Sequence, residues 1–270
     1  LKVGYTMLVT VSVLVPTTTS GEFNGATVTN TAAVDAANAE EVDSSADVTL
    51  AVQTTLAPSL NKTVAPSSTL PAVAGRAIAW TLKPGNASNQ SVDTITVQDP
   101  ANPPVANLGY LDITSLDITD PVGTTGKVIE YYVGSAWTTT APTPLGQADG
   151  VRVTFTGSFA PGAEGAVVVH SVTNDTVRSI ARDTSVAITN DAVTPVSKTG
   201  TTSAPVSDTA SVTVANRDPD VSITKTFDRS DLVSGQSTTA NVVATVGAQD
   251  VTQLRITEPS AGQPNFTAQG

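Results

Sequence analysis

An internal repeat constrains this chain more than any other feature of its sequence. Asn30 in VTNTAAV aligns with Asn190 in ITNDAV, 160 residues later (190 − 30). Further matches keep the same order and nearly the same offset: Lys62 in SLNKTV with Lys225 in VSITKTF, Gly75 with Gly235, and Asp99 in TVQDP with Glu258 in RITEP. A unit of this length suits whole domains in tandem rather than the short repeats of solenoids and propellers.

The repeat divides the chain into three segments. We expect residues 1–57 to be the C-terminal part of one repeat, residues 58–217 a complete repeat, and residues 218–270 the N-terminal part of the next. Proline-rich joints, TTLAPSL and ANRDPDV, lie at the two boundaries and stiffen them. Because partial units expose strand edges, either they pair with strands of neighbouring copies or the repeat boundaries differ from the domain boundaries.

The composition and patterning predict an all-β fold. Thr, Val, Ser and Ala dominate and aromatic residues make up 4% of the chain, a composition that suits pleated strands. Short apolar or alternating runs such as AIAWTL, DTITVQD and AVVVHSV are separated by clusters of turn residues. We therefore expect tandem immunoglobulin-like antiparallel β-sandwiches in an elongated arrangement, with either one elaborated or two small sandwiches per repeat.

The apolar run GYTMLVTVSVLVP at residues 4–16 invites interpretation as a signal peptide or a membrane anchor. It is too short to span a bilayer, which needs about 20 apolar residues. It also aligns with GAVVVHSVTND at 165–175, one repeat later. We therefore predict a β-strand here, and no direct membrane insertion by this segment.

Charge, cysteine content and motifs exclude several classes of function. The formal net charge of −11 opposes binding to nucleic acid. The absence of cysteine removes disulfides, thiolate metal sites and cysteine nucleophiles. His170, the only histidine, aligns with Val9 and is therefore expected to be a strand residue. With no phosphate loop, nucleophile elbow or metalloprotease motif in the sequence, we expect neither an enzyme nor a cofactor.

The recurring motifs resemble a known family. They are KTV and KTF, a glycine 13 or 10 residues later, Asp-Pro or Glu-Pro, and the closing NTAAV or NDAV. Together they resemble the repeat domains of large bacterial surface proteins, of actinobacterial type, a class that includes isopeptide-forming fimbrial repeats. The resemblance spans essentially the whole chain. It implies secretion, tandem immunoglobulin-like domains and a location at the cell surface or cell wall, and it implies no particular ligand.

The sharpest chemical hypothesis is an intramolecular amide bond between Lys62 and Asn190, assisted by Asp99. Burial would favour the neutral, nucleophilic amine, and a protonated carboxylic acid could polarise the asparagine amide and relay protons. All three residues have counterparts in the adjoining repeats. The alternative assigns each a structural role: an edge charge for Lys62, a turn for the Asp-Pro, and backbone capping for Asn190.

Two weaker candidate sites remain. Tyr131, Tyr132 and Trp137 could form an exposed aromatic patch for carbohydrate stacking, whereas Trp80 is expected to be a packing residue. Asp218 and Asp220 are candidates for inter-domain calcium, although such residues also solubilise linkers.

Three functions fit these observations. The first is a structural repeat module of a secreted bacterial surface or fimbria-like fibre protein, acting as a stalk or adhesive scaffold, with neighbouring repeats or copies of itself as partners. The second is an adhesin module that binds a surface glycan or protein. The third, and weakest, is an accessory domain of a large extracellular enzyme.

Overall fold

The structure is a computed structural model of the 270-residue chain, and it describes residues 4–16, 19–217, 221–247, 251 and 253–258. Its strands are β1 (Thr27–Ala36), β2 (Ala39–Thr49), β3 (Pro58–Ala65), β4 (Leu70–Pro71), β5 (Ala77–Asn86), β6 (Val92–Asp99), β7 (Leu111–Thr119), β8 (Thr124–Val133), β9 (Ala136–Thr138), β10 (Gly150–Phe159), β11 (Ala166–Thr173), β12 (Thr184–Thr194), β13 (Val196–Lys198), β14 (Thr201–Thr202), β15 (Val206–Asn216), β16 (Val221–Phe227) and β17 (Ala240–Val246). Short 3-10 helices span Gly21–Phe23, Ala106–Tyr110, Leu145–Gln147 and Asp175–Ser179.

Residues 58–217, here called the central unit, form an immunoglobulin-like β-sandwich. One sheet has the strand order β3-β5-β11-β7, and the other has the order β4-β15-β12-β6-β10-β8-β9, with β13 and β14 attached beside β6. Neighbouring strands are antiparallel except for β4 and β15, which pair in parallel. The predicted all-β fold is confirmed.

Both sheets contribute to a single hydrophobic core. Trp80 and Leu82 from one sheet pack in the same cluster as Phe155 and Ile188 from the other. Alternation along each strand produces this core, since successive side chains point to opposite faces. Each large apolar side chain that is fully buried contributes about 1.5–3 kcal/mol. Within residues 58–217 the buried apolar residues of the two sheets therefore form one cluster.

The strand pairs β1–β2 and β16–β17 flank the central unit as antiparallel hairpins with the same registers as their counterparts within it. Asn30 lies opposite Ala46, as Asn190 lies opposite Ala210. Likewise Lys225 lies opposite Val242, as Lys62 lies opposite Leu82. The aligned glycines Gly75 and Gly235 also share a left-handed backbone, with φ of 86° and 87°. The alignment of the sequence repeat therefore corresponds to equivalent hairpins.

The strand predicted within residues 4–16 is absent from the structure, and this prediction was wrong. These residues have no regular secondary structure and are exposed. Their counterpart β11 is hydrogen-bonded on both sides, by β5 and β7. Among the described residues no equivalent strands lie beside 4–16, so this backbone lacks a ladder to join. In the part of the chain that the structure describes, no helix has the length and apolar character needed to cross a bilayer.

Candidate functional site

Lys62 occupies an inward position of β3. Leu60 and Val64, two residues to either side, pack against the core, and the period of two places Lys62 on the same face. Its side chain has no exposed surface. A lysine in an apolar register is unusual, because lysine is almost never fully buried without a partner.

Asp99 and Asn190 also occupy inward positions, in the opposite sheet. Asp99 ends β6, two residues after the buried Val97, and Asn190 lies in β12 between the buried Ile188 and Ala192. Asp99 and Asn190 are themselves 4% and 3% exposed. All three polar residues therefore interrupt apolar stripes that face the interior of the sandwich.

These three side chains meet at Asp99. Lys62 Nζ lies 2.5 Å from Asp99 Oδ1, and the side chain of Asn190 forms a hydrogen bond with the same carboxyl group. Asn190 Oδ1 is buried and has no hydrogen-bond partner among the described residues. The indole ring of Trp80 lies beside this group, with its centroid 5.5 Å from Lys62 Nζ. The structure thus brings together the three residues of the amide-bond hypothesis.

Burial dominates the protonation of this group. Removal from water lowers the pKa of Lys62 below its ordinary value of 10.5 and raises the pKa of Asp99 above 3.8, because apolar surroundings disfavour both charged forms. Attraction between the two opposite charges acts in the other direction on each group, and it is the smaller effect. Burial therefore shifts both groups towards their neutral forms.

Asp208 is a further residue at this site, and the sequence comparison missed it. Its Oδ2 atom accepts a hydrogen bond of 2.7 Å from the backbone N–H of Lys62, which ties β3 to β15 of the opposite sheet. Asp208 lies opposite Ala192 in the β12–β15 pair, and the residue at the equivalent place in β2, opposite Ala32, is Ser44. The repeat alignment gave no signal because this acidic residue does not recur. Asp208 holds the strand that carries Lys62.

A pocket of about 220 Å³ borders the buried group. Its lining includes Trp80, Asp99 and Asn190, together with Leu108 and Gly109 from the short helix Ala106–Tyr110. A molecule the size of water or ammonia can occupy such a space. The amide of Asn190 therefore adjoins a small cavity.

Equivalent residues in the flanking hairpins are exposed. Lys225 Nζ lies 2.5 Å from Glu258 Oε1, with side chains that are 33% and 41% exposed. Asn30 is exposed on β1. The lysine–acid contact is thus also formed in the segment that follows the central unit, but without the burial that surrounds Lys62 and Asp99.

The predicted aromatic patch is smaller than expected. Tyr132 and Trp137 form an edge contact with ring centroids 5.3 Å apart, and the guanidinium of Arg152 lies 4.5 Å from the centroid of Trp137. Tyr131 packs against the core instead. Adjacent strand residues point to opposite faces, so Tyr131 and Tyr132 could not share one patch.

The remaining candidate residues are His170 and the two aspartates considered for calcium. His170 lies in β11, and its Nε2 atom is 2.8 Å from Asp117 Oδ2 of the neighbouring strand. Asp218 and Asp220, the calcium candidates, lie outside the residues that the structure describes. Within the described ranges no group of His, Cys, Asp and Glu side chains is arranged to hold a metal ion.

No family model and no curated protein matches the chain. Solved structures to which it is similar include the N-terminal domain of the Streptococcus gordonii adhesin Sgo0707, with 15% identity and a TM-score of 0.31 over 57% of this chain and 32% of that one. They also include ACE19, the collagen-binding subdomain of the Enterococcus faecalis surface protein ACE, with 10% identity and a TM-score of 0.30 over 59% and 96% of the two chains.

A third is AggA, the major subunit of aggregative adherence fimbriae type I from Escherichia coli, with 8% identity and a TM-score of 0.28 over 60% and 96% of the two chains. This chain therefore spans 32% of the length of the first of these proteins. Likeness at these values does not identify a ligand or an activity.

Proposed function

We propose that the chain is a structural module of a secreted bacterial surface or fibre protein, and that its central unit is cross-linked by an amide bond between Lys62 and Asn190. One observation carries the proposal: Lys62 and Asn190 both contact the buried carboxyl group of Asp99. A location at the cell surface rests on the resemblance of the repeat motifs, and the cross-link supplies a physical reason for a stalk or scaffold role.

The bond requires no cofactor. In the structure the side-chain amide of Asn190 donates to Asp99, and Asn190 Oδ1 is unpartnered. In the reaction the neutral amine of Lys62 attacks Cγ of Asn190, and the protonated Asp99 donates its proton to Oδ1 and so polarises the amide. The new Nζ–Cγ bond forms, the Cγ–Nδ2 bond breaks, and Nδ2 leaves as ammonia after Asp99 has relayed a proton from Nζ. No electron is gained or lost overall, and Asp99 ends in the protonation state in which it began.

The surroundings favour this reaction in three ways. The unpartnered Oδ1 atom of Asn190 can accept the proton of Asp99. The indole of Trp80 covers the amine and helps to exclude water, which would otherwise favour the charged ammonium form. The adjoining pocket offers the released ammonia a place to go.

The bond would connect the two sheets of the sandwich. It joins β3 to β12 and closes a loop of 128 residues (190 − 62). In the chain-entropy description of cross-links, a loop of that length stabilises the folded state by about 4–5 kcal/mol. In a chain without cysteine, such a bond performs the mechanical role of a disulfide.

The direct test is the intact mass of the purified chain. We expect a mass lower than that of the sequence by one ammonia molecule, and a linked peptide containing both Lys62 and Asn190 after proteolysis. The Lys62→Ala variant should have the mass of its sequence, whereas Lys127→Ala, at an exposed ion pair with Asp120, should retain the loss. An unshifted mass in the unmodified chain would refute the cross-link.

A second candidate function, carbohydrate binding, rests on the contact of Trp137 with Tyr132. Aromatic side chains of this kind offer a face on which a sugar ring can stack. Because Arg152 lies over one face of the Trp137 ring, only the other face is available. A two-ring patch provides less stacking surface than the three rings predicted, so this function ranks second.

A further inference from the structure

Two stretches that flank the β1–β2 hairpin contact the central unit at one loop. Residues 20–24 lead towards β1 and residues 50–57 follow β2, and together they are here called the neck. The loop consists of residues 87–91, between β5 and β6. Within the neck, the backbone N–H of Val52 donates to Asn24 Oδ1 at 3.0 Å, which ties the two stretches to each other. Both ends of the hairpin are therefore anchored, and not only the end that continues into β3.

Asn89 is the centre of the contacts between the neck and the loop. Its Oδ1 atom accepts the backbone N–H of Thr55 at 2.9 Å, and its Nδ2 atom donates to Gln53 O at 2.8 Å. Its backbone carbonyl accepts the N–H of Gly21 at 2.7 Å and the hydroxyl of Ser20 at 3.2 Å. A single residue of the loop thus holds both stretches of the neck.

A second group of hydrogen bonds lies next to the start of β3. The backbone N–H of Ala57 donates to Ser88 Oγ at 2.8 Å, and the N–H of Ala87 donates to Ala57 O at 2.8 Å. Pro58, which the sequence marked as a stiffening residue, is already the first residue of β3. The neck is therefore held by hydrogen bonds along residues 53–57, ahead of the proline.

The loop itself is fixed to the body of the sandwich. Asn86, which is 1% exposed, donates from Nδ2 to Gln90 O at 2.9 Å and to Phe159 O at 2.8 Å. Its Oδ1 atom accepts the backbone N–H of Ser88 at 2.9 Å. With both ends of the amide bonded in this way, Asn86 presents Ser88 and Asn89 to the neck in a defined arrangement.

The short helix Gly21–Phe23 adds a charged contact to a third element. Glu22 Oε1 accepts the backbone N–H of Ser91 and lies 3.6 Å from Nζ of Lys198, in β13. The neck therefore touches the central unit at the β5–β6 loop and at the neighbouring strand β13, which prevents rotation about a single point of attachment.

Gly21 shows how closely the two parts approach. A Cβ atom at this position would lie 3.0 Å from Asn89 Oδ1 and 3.2 Å from Asn89 O, so a side chain would force the neck away from the loop. Gly21 is buried at this contact.

We propose that residues 87–91, with Lys198, form a docking surface that holds the neck and fixes the orientation of the β1–β2 hairpin relative to the central unit. In a chain of tandem repeats the same surface would set the angle between one repeat and the next. The partner that it fits is the end of a preceding repeat, with extended backbone and a glycine at the closest approach. Relative motion is the usual behaviour of domains joined only by a linker, and attachment of both stretches removes it.

This inference is independent of the amide bond, since none of the neck contacts involves Lys62 or Asn190. It concerns how successive modules are arranged, whereas the bond concerns the stability of one module. A fixed joint would make a stalk of such modules stiff.

The test measures the distance between the hairpin and the central unit in the full chain. The sequence has no cysteine, so Ala37→Cys in the hairpin turn and Ala136→Cys in β9, both exposed, can each carry a spin label. Pulsed electron spin resonance should give a single narrow distance peak. Asn89→Ala, which removes two side-chain bonds, should lose that narrow peak. Gly21→Val, which keeps every bonding group but inserts a side chain, should lose it as well.

Hydrogen exchange shows that the central unit stays folded in these variants. The amide of Thr55 should exchange about tenfold faster in Asn89→Ala, because its hydrogen bond is lost. The amides of β11, which is bonded on both sides, should keep their protection. Asn107→Ala, an exposed asparagine of the central unit, should retain both the narrow peak and the slow exchange of Thr55.

A broad distance distribution in the chain that carries only the two labels would overturn the inference. A narrow peak that survives in either Asn89→Ala or Gly21→Val would also overturn it. The proposed amide bond is judged separately, because the intact mass reports the Lys62–Asn190 bond whatever the width of the distance peak.

Discussion

Lys62 Nζ lies 2.5 Å from Asp99 Oδ1 between the two sheets of the sandwich, and the side chains are 0% and 4% exposed. Burying two such groups costs several kcal/mol per charge, and apolar replacements of buried ion pairs are often neutral or stabilising. Stability alone is therefore a weak explanation for this pair. Its contact with the amide of Asn190 supplies a chemical one.

Removing the acid should stop formation of the cross-link. Asp99→Asn removes the carboxyl group that polarises the Asn190 amide and relays a proton from Lys62 Nζ to the departing Nδ2. General acid–base catalysis contributes about 10²–10⁴-fold to a rate, so bond formation should slow by a factor in that range. Intact mass followed over time after purification measures the effect. Asp120→Asn, an exposed carboxylate paired with Lys127, should react like the unmodified chain, and equal rates in the two variants would argue against Asp99 as the acid.

Removing the electrophile should lower thermal stability. Asn190→Ala cannot form the bond, so the central unit loses the contribution of about 4–5 kcal/mol expected for a closed loop of this length. For a domain of this size, about 2–4 °C in Tm accompanies each kcal/mol. We expect calorimetry to show a Tm lower by about 10–20 °C. Asn107→Ala should melt with the unmodified chain. A decrease of only a few °C in Asn190→Ala, which the loss of its hydrogen bond to the buried Asp99 would explain, would contradict the bond.

The unbonded variant should also show a distinctive pH dependence. In Asn190→Ala, burial keeps the pKa of Lys62 below 10.5 in the folded state. Between that lowered pKa and 10.5, the unfolded chain therefore binds more protons at Lys62 than the folded chain does. The free energy of unfolding should therefore increase as pH rises through the lowered folded-state pKa.

Asp99 acts in the opposite sense. Its pKa is raised above 3.8 by burial, so the folded state binds the extra proton and stability falls as pH rises from 3.8 through the raised value. In the bonded chain Lys62 is an amide and does not titrate, so the alkaline gain should be absent. Denaturant unfolding across this pH range measures both trends, and parallel profiles for the two proteins would contradict the bond.

The adjacent tyrosine and tryptophan should behave differently on substitution. Tyr131→Ala removes a ring packed against the core and should lower the free energy of unfolding by about 1–2 kcal/mol. Trp137→Ala removes a half-buried ring that contacts Tyr132 and Arg152, and it should lower the free energy of unfolding by about 1 kcal/mol. If the second candidate function holds, Trp137→Ala also abolishes carbohydrate binding on a glycan array. Undiminished binding in that variant would remove the patch from consideration.

Much of the site could be predicted from the repeat. Asn30 with Asn190, Lys62 with Lys225, and Asp99 with Glu258 singled out three residue types that suit amide-bond chemistry. A second signal in the sequence was also available. Lys62 lies between Leu60 and Val64, and Asn190 between Ile188 and Ala192, so strand alternation alone places both in the interior.

The strand at residues 4–16 shows the limit of such alignment. A strand needs neighbours to satisfy its backbone groups, and equivalence to β11 does not provide them. Of the three residues predicted for the aromatic patch, Tyr132 and Trp137 are in contact and Tyr131 packs against the core. Strand alternation separates the two tyrosines, but proximity in sequence does not say which of them faces the core.

The sequence by itself determined the all-β class, the equivalence of the hairpins and the identity of the three reactive residue types, because composition, periodicity and repetition are local properties of a chain. Only the tertiary structure decided that Lys62, from one sheet, meets Asp99 and Asn190 from the other, with Asp208 holding the strand that carries Lys62. The physical reason is that contact between sheets and removal from water depend on packing over separations of 37 and 146 residues, which sequence spacing does not encode.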